Sequence, residues 1–189
     1  MANEPLIVVN NLVAGYTQPV VGPISFAVRP GEICGLGGAN GTGKSTLLKA
    51  ITGMARSFSG QIERMPGITL AHQWQRPELP PELALLGREL YALLGADPAQ
   101  PPSFITPLLE KPLYAMSGGQ FQLLQTFACL CSPARLVLMD EPTNNLDGQA
   151  LEALSALLHA LAPDRAVLLV SHEASFLERH CTSVLEMPR

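Results

Sequence analysis

Charge and aromatic side chains are both scarce in this chain. Asp, Glu, Lys and Arg make up 15% of its 189 residues and Phe, Trp and Tyr 5%, against 47% apolar types. So little charge on a chain of this length points to a surface partly covered by a partner. Basic residues are not in excess: the net charge of −4 offers no broad face to a polyanion, so nucleic acid is not expected as a partner. No apolar run reaches the roughly 18 residues that a membrane-spanning helix requires. The opening Met1-Ala2-Asn3-Glu4-Pro5 lacks the basic and apolar regions of a secretory leader, and a soluble cytoplasmic chain is the expectation.

Cysteine is also sparse. Cys34, Cys129, Cys131 and Cys181 form no C-x-x-C pair and sit in apolar or helical contexts, which excludes a disulfide framework and predicts buried free thiols. His72, His159, His172 and His180 have no helical metal-ligand spacing, so no structural zinc site is expected. The length suits one domain with ample core.

What is present is an alternation of short apolar runs and helical patterns. Residues 6–13 and 24–28 read as strands, and Ile33-Cys34-Gly35-Leu36 as a short buried strand after the turn Arg29-Pro30-Gly31-Glu32. A helix is predicted from Lys44 to about Thr52, with Leu47, Leu48 and Ile51 on one side and Gly53 as its stop. A weaker strand pair is predicted at 60–64 and 67–71. Between Arg76 and Met116 fall eight of the 17 prolines, around a leucine-rich helical stretch at 82–95. This segment, about 76–116, reads as a small helical subdomain inserted in a core of 1–75 and 117–189. Ser117 begins a helix to about Leu130, Asp147 caps one over 148–161, Ala166 to Val170 is a buried strand, and a helix covers 173–180. Such alternation argues for an α/β core with a mainly parallel sheet.

Two segments carry chemistry. Gly38-Ala39-Asn40-Gly41-Thr42-Gly43-Lys44-Ser45-Thr46 fits the phosphate-loop pattern G-x-x-x-x-G-K-[ST], placed between a strand and a helix as the mechanism requires. Its glycines let successive N–H groups close around phosphate oxygens, and the helix that follows offers its positive end to the same anion. Gly38, Asn40, Gly41, Thr42, Gly43, Lys44, Ser45 and Thr46 are therefore the candidate nucleotide-binding set. Lys44 is expected to reach the β- and γ-phosphates and Ser45 to place its hydroxyl on Mg2+. The second segment, Leu136-Val137-Leu138-Met139, ends in Asp140 and Glu141. A carboxylate at the end of a buried strand is costly unless paired, and Mg2+ on Asp140 resolves that cost. Glu141, directed away from Asp140, is placed to polarise an attacking water. The two segments together imply a nucleotide hydrolase, and with Met116-Ser117-Gly118-Gly119-Gln120 between them they imply ATP hydrolysis.

With Met116-Ser117-Gly118-Gly119-Gln120 between them, these segments resemble the nucleotide-binding domain of the ATP-binding-cassette (ABC) superfamily. Met116-Ser117-Gly118-Gly119-Gln120 resembles its Leu-Ser-Gly-Gly-Gln signature. Leu138-Met139-Asp140-Glu141-Pro142-Thr143-Asn144-Asn145-Leu146-Asp147 resembles its Walker B strand and D-loop, and Val170-Ser171-His172 its switch histidine. The ordered matches run across residues 6–177. The resemblance implies a P-loop NTPase core with a mainly parallel sheet, an antiparallel N-terminal β subdomain and a small inserted helical subdomain. It implies that Tyr16 stacks on adenine, that Gln73 (preferred to Gln75) contacts magnesium and senses a partner, and that His172 contacts the γ-phosphate. Ser117, Gly118, Gly119 and Gln120 would bind the nucleotide held by an opposite subunit, in a head-to-tail dimer of ATPase subunits with Asp147 at its interface.

The resemblance further implies the ATPase subunit of a transporter. Such a subunit lies on the inner face of the cell membrane and works through separate transmembrane permease subunits. The compact subdomain and the run Ser-Gly-Gly-Gln-Phe-Gln look most like ATPases of zinc or manganese importers. The alternative is a soluble ABC-F-like ATPase acting on the ribosome, which Thr143 to Asp147 and Ser171 to Leu177 also resemble. One domain, no charged linker and a negative net charge speak against it. The arginines usual just after the signature are missing, which places in doubt the ion pairs that normally tie that helix to the core.

Overall fold

The computed structural model describes residues 4–73, 85–144 and 146–187. Its centre is a five-stranded parallel sheet in the order β5-β6-β7-β3-β8, built from β3 (Ile33–Gly37), β5 (Leu70–Gln73), β6 (Leu136–Asp140), β7 (Ala166–Val170) and β8 (Ser183–Glu186). Every residue of β3, β6 and β7 is buried, as expected of parallel strands covered on both faces. Because side chains alternate along a strand, the sheet feeds two cores. Leu136, Leu138, Leu168 and Val170 pack with α1 (Lys44–Ile51) and the N-terminal strands; Val137, Met139, Val167 and Leu169 pack with Phe127, Leu154 and Phe176 of the helices opposite.

The N-terminal strands form an antiparallel sheet, β2-β1-β4, from β1 (Ile7–Gly15), β2 (Pro19–Val28) and β4 (Arg56–Arg64). The expected pairing of 60–64 with 67–71 is not found. β4 pairs with β1 (Ile7 opposite Arg64), while β5 pairs parallel with β6 (Leu70 opposite Leu136). The buried Ala71 and Gln73 belong to the main sheet, whereas β4 is mostly exposed. Strand β8 was not anticipated: it is a short, largely exposed edge strand parallel to β3, with no apolar alternation to announce it.

The inserted segment contains α2 (Gly87–Leu93), shorter than the helix expected over 82–95, of which 82–84 lie outside the described residues. Gly95, at φ 89°, turns the chain just beyond it. A short helix, α3 (Thr106–Leu109), follows, and Tyr91, Ile105 and Leu113 are buried against α4 (Gly118–Cys131). Helices α5 (Gly148–His159) and α6 (Ala174–His180) complete the core. All four cysteines are free; Cys34 and Cys129 are buried, while Cys131 and Cys181 are only partly so.

Candidate nucleotide-binding and hydrolysis site

Strand order brings the chemistry together. β6, β7 and β3 are adjacent, all parallel, so the segments that leave their C-terminal ends emerge along one edge of the sheet. These are Asp140-Glu141, Ser171-His172 and the loop Gly38–Gly43. They enclose a cleft of about 500 Å3 lined by Asn40, Gly41, Gly43, Lys44, Ser45, Thr46, Asp140, Glu141 and His172, with Val20, Asn144 and Val170.

The loop is shaped around its lysine. Lys44 Nζ donates to the carbonyls of Gly38 (2.7 Å) and Ala39 (2.9 Å), and the Thr42 hydroxyl to that of Ala39 (2.9 Å). Gly43 lies at φ 89°, and a Cβ there would come within 2.7 Å of Val21 Cβ, so both backbone and space demand glycine. No side chain caps α1, and its first N–H groups are left for an anion.

Asp140 is 6% exposed, and its Oδ1 is buried without a hydrogen-bond partner. Burial, reinforced by the charge of Glu141, raises its pKa; a hydrogen bond from Ser45 and the charges of Lys49 and Lys44 pull the other way. A buried carboxylate oxygen with an open lone pair beside a hydroxyl is the donor set of a hard divalent cation, and the residues fit Mg2+. Gln73, 1% exposed, directs its Oε1 onto the Asp140 N–H at 3.0 Å and is not among the residues lining the cleft.

The carboxyl group of Asp140 is less stable charged in the fold than in the unfolded chain, so stability falls as pH rises from the unfolded value of about 4 through the raised folded one. Asp140→Asn is therefore expected to raise the melting temperature of the nucleotide-free protein at pH 7.5 by about 2–4 °C, or ~1 kcal/mol. That gain should vanish well below pH 4, where both states are protonated, whereas at pH 7.5 the variant should lose the stabilisation that Mg-ATP gives the parent. Melting curves with and without Mg-ATP check both.

Glu141 follows Asp140 in a left-handed conformation, φ 52°. Its Oε2 accepts from His172 Nδ1 at 2.8 Å and from the His172 N–H at 3.3 Å. The candidate base and the candidate switch residue are thus one hydrogen-bonded pair. Tyr16 is 48% exposed, with Lys49 Nζ 5.9 Å from its ring centre.

The signature lies elsewhere. Ser117 caps α4 by accepting from the Gln120 N–H (3.2 Å), while Gln120 Oε1 accepts from the Ser117 N–H (3.2 Å) and from Lys111 Nζ (2.7 Å). Ser117, Gly119 and Gln120, with Leu123, Leu146, Asp147 and Ala150, line a separate hollow of about 430 Å3. Nothing in the local sequence pattern of Lys111 ties it to Gln120; the contact exists only in the fold. Without the missing arginines, α4 is held by Phe121, Leu124 and Phe127 in the core and, at its far end, by Arg165, whose guanidinium donates to Leu130 O and Ala134 O.

The fold and the cleft define a nucleotide-binding domain of the P-loop class. A family model described as ABC transporter matches residues 21–144. The zinc import ATP-binding protein ZnuC of Paracoccus denitrificans is 33% identical over 167 residues, covering 84% of this chain and 66% of that protein. The protein of the same name from Yersinia enterocolitica is 32% identical over 189 residues, covering 95% and 75%. A solved ATP-binding subunit of an ABC transporter superposes with a TM-score of 0.82 at 26% identity, covering 96% of this chain and 85% of that one. The chain belongs to the ABC transporter family, on the side of its ATP-binding subunits. It spans two-thirds to three-quarters of the length of these two curated relatives.

Proposed function

We propose that this chain hydrolyses ATP to drive transport through separate transmembrane subunits, with a metal ion such as zinc or manganese as cargo. The observation that carries the hydrolytic part is the convergence of Lys44, Ser45, Asp140, Glu141 and His172 on one cleft. The loop amides and Lys44 would bind the β- and γ-phosphates, and Ser45 and Asp140 would hold Mg2+. Bound there, the ion would neutralise charge on the phosphate oxygens. Glu141 orients the attacking water and takes its proton. His172 donates from Nδ1 to the Glu141 carboxylate and, with both ring nitrogens protonated, would donate from Nε2 to the γ-phosphate. Catalysis is then positioning and electrostatic stabilisation. Tyr16 stacks on adenine, and Gln73 holds the Asp140 main chain at the entry to the inserted segment.

Ser117, Gly119 and Gln120 line their own hollow and, with Gly118, would complete the cleft of a second ATPase subunit, head to tail. The permease docks in a third hollow, about 260 Å3, between the core and the inserted subdomain. It is lined by Thr52, Met54, Leu70, Ala71, His72, Leu93 and Leu94. Leu93 is 73% and Met54 52% exposed, apolar surface that a partner would cover. Burial, and then the charge of Lys49, push the His72 pKa down to about 4, so the groove presents a neutral ring. The metal cargo is supported by the zinc-import names of the relatives.

The test is copurification of the tagged chain from membranes in mild detergent. A membrane permease that stimulates Mg-ATP hydrolysis and ATP-dependent zinc or manganese uptake into proteoliposomes is the expected result. Cosedimentation with ribosomes and no membrane partner would overturn it.

A further inference from the structure

The Asp140-Glu141 segment is gripped at both ends by glutamine side chains. Gln73 accepts from the Asp140 N–H, and Gln122 Nε2 donates to the Glu141 carbonyl oxygen at 2.7 Å. Gln73 ends β5, where the chain leaves for the inserted segment. Gln122 stands on α4, by which the chain returns, about one turn beyond the Ser117 cap.

Glu141 has need of such a grip. A non-glycine residue keeps a left-handed backbone only where its surroundings over-determine it. Its other partners belong to the core around the cleft: its N–H donates to Val170 O (3.0 Å), the Asn144 N–H donates to its carbonyl (3.2 Å), and His172 binds its carboxylate. Among these, only Gln122 comes from the helix that carries the signature.

We propose that Gln122 is a positioning residue for hydrolysis. Its amide holds the Glu141 main chain in the turn that aims the carboxylate, and so ties the base to the helix whose first turn carries Ser117 and Gly119. A glutamine suits the place because its N–H meets a carbonyl oxygen. Methionine has similar length without the donor, and glutamate has the shape but presents oxygen to oxygen. The inference rests on the reading of Glu141 as the base.

Gln122→Met and Gln122→Glu are made in the 189-residue chain, each also combined with Glu141→Gln. Gln122→Met is expected to lower kcat about ten- to a hundredfold, as small displacements of a reacting group do. Its KM and the Kd for a fluorescent ATP analogue should stay within about twofold. Gln122→Glu should lose at least as much, and carries the test if the methionine variant does not fold. In the Glu141→Gln background the same substitutions should change the residual rate less than about twofold, because the group they position is gone. A kcat near that of the parent, a loss expressed in KM, or an equal loss in the Glu141→Gln background would overturn the role of Gln122. Full turnover in Glu141→Gln alone overturns the base reading instead, so the two failures are told apart.

Discussion

Glu141→Gln is expected to lower ATP turnover about 10²- to 10⁴-fold, the range for removal of a positioned general base, while ATP binding is retained. Glutamine keeps the size of the side chain and an oxygen for the His172 ring, so the 2.8 Å contact that places it can persist. What is lost is the carboxylate that accepts the proton. Binding should hold or tighten, because the charge of Glu141 is one of the causes that raise the Asp140 pKa, and its removal eases the ionisation of Asp140. Single-turnover hydrolysis and equilibrium binding of Mg-ATP separate the two effects. Turnover equal to that of the parent protein would remove Glu141 from the role of base.

Ser117→Arg should abolish hydrolysis in a different way. In one chain Ser117 and the glycine loop line separate hollows, so a cation at Ser117 is expected to leave the chain's own cleft open, and its monomer should bind ATP within about twofold of the parent. Loss of the cap that accepts from the Gln120 N–H costs about 1 kcal/mol of stability, too little to unfold the chain. The decisive measurement is a mixture. Equal amounts of Ser117→Arg and Glu141→Gln chains, each inactive alone, should recover up to about a quarter of parental activity. Half of the two-fold dimers are then mixed, and each of these has one intact site of two. Absence of recovery, or activity in Ser117→Arg alone, would sink the shared site.

Much of this site was legible in the chain itself because its parts are local. A phosphate loop needs glycines at set spacing between a strand and a helix, and Gly38 to Thr46 carry that pattern whatever surrounds them. The apolar run ending in Asp140-Glu141 announces a buried strand with an acidic end in the same way. Ser117 and Asp147 announced helix starts by the chemistry of capping, and both do accept from main-chain N–H groups of α4 and α5. The misreadings concern pairing over distance. Residues 60–64 and 67–71 read as a strand pair, but the burial of Ala71 and Gln73 beside β6 takes the second strand into the main sheet. Strand β8 is an exposed edge held by its main chain to β3, and such pairing leaves little trace in side-chain type.

By itself, then, the sequence determined the parts of the candidate site: a glycine loop between a strand and a helix, two carboxylates at the end of a buried strand, and a signature segment at the start of a helix. These depend on spacing within a few residues, where backbone geometry is dictated by residue type. Only the tertiary structure decided how those residues are held. It set Glu141 against His172, Gln73 and Gln122 on the two ends of the acidic segment, Lys111 on Gln120, and Arg165 on the end of α4. Each of these contacts joins residues from different elements. Their distance is fixed by the order of strands in the sheet and the packing of helices on it, neither of which any short stretch of sequence encodes.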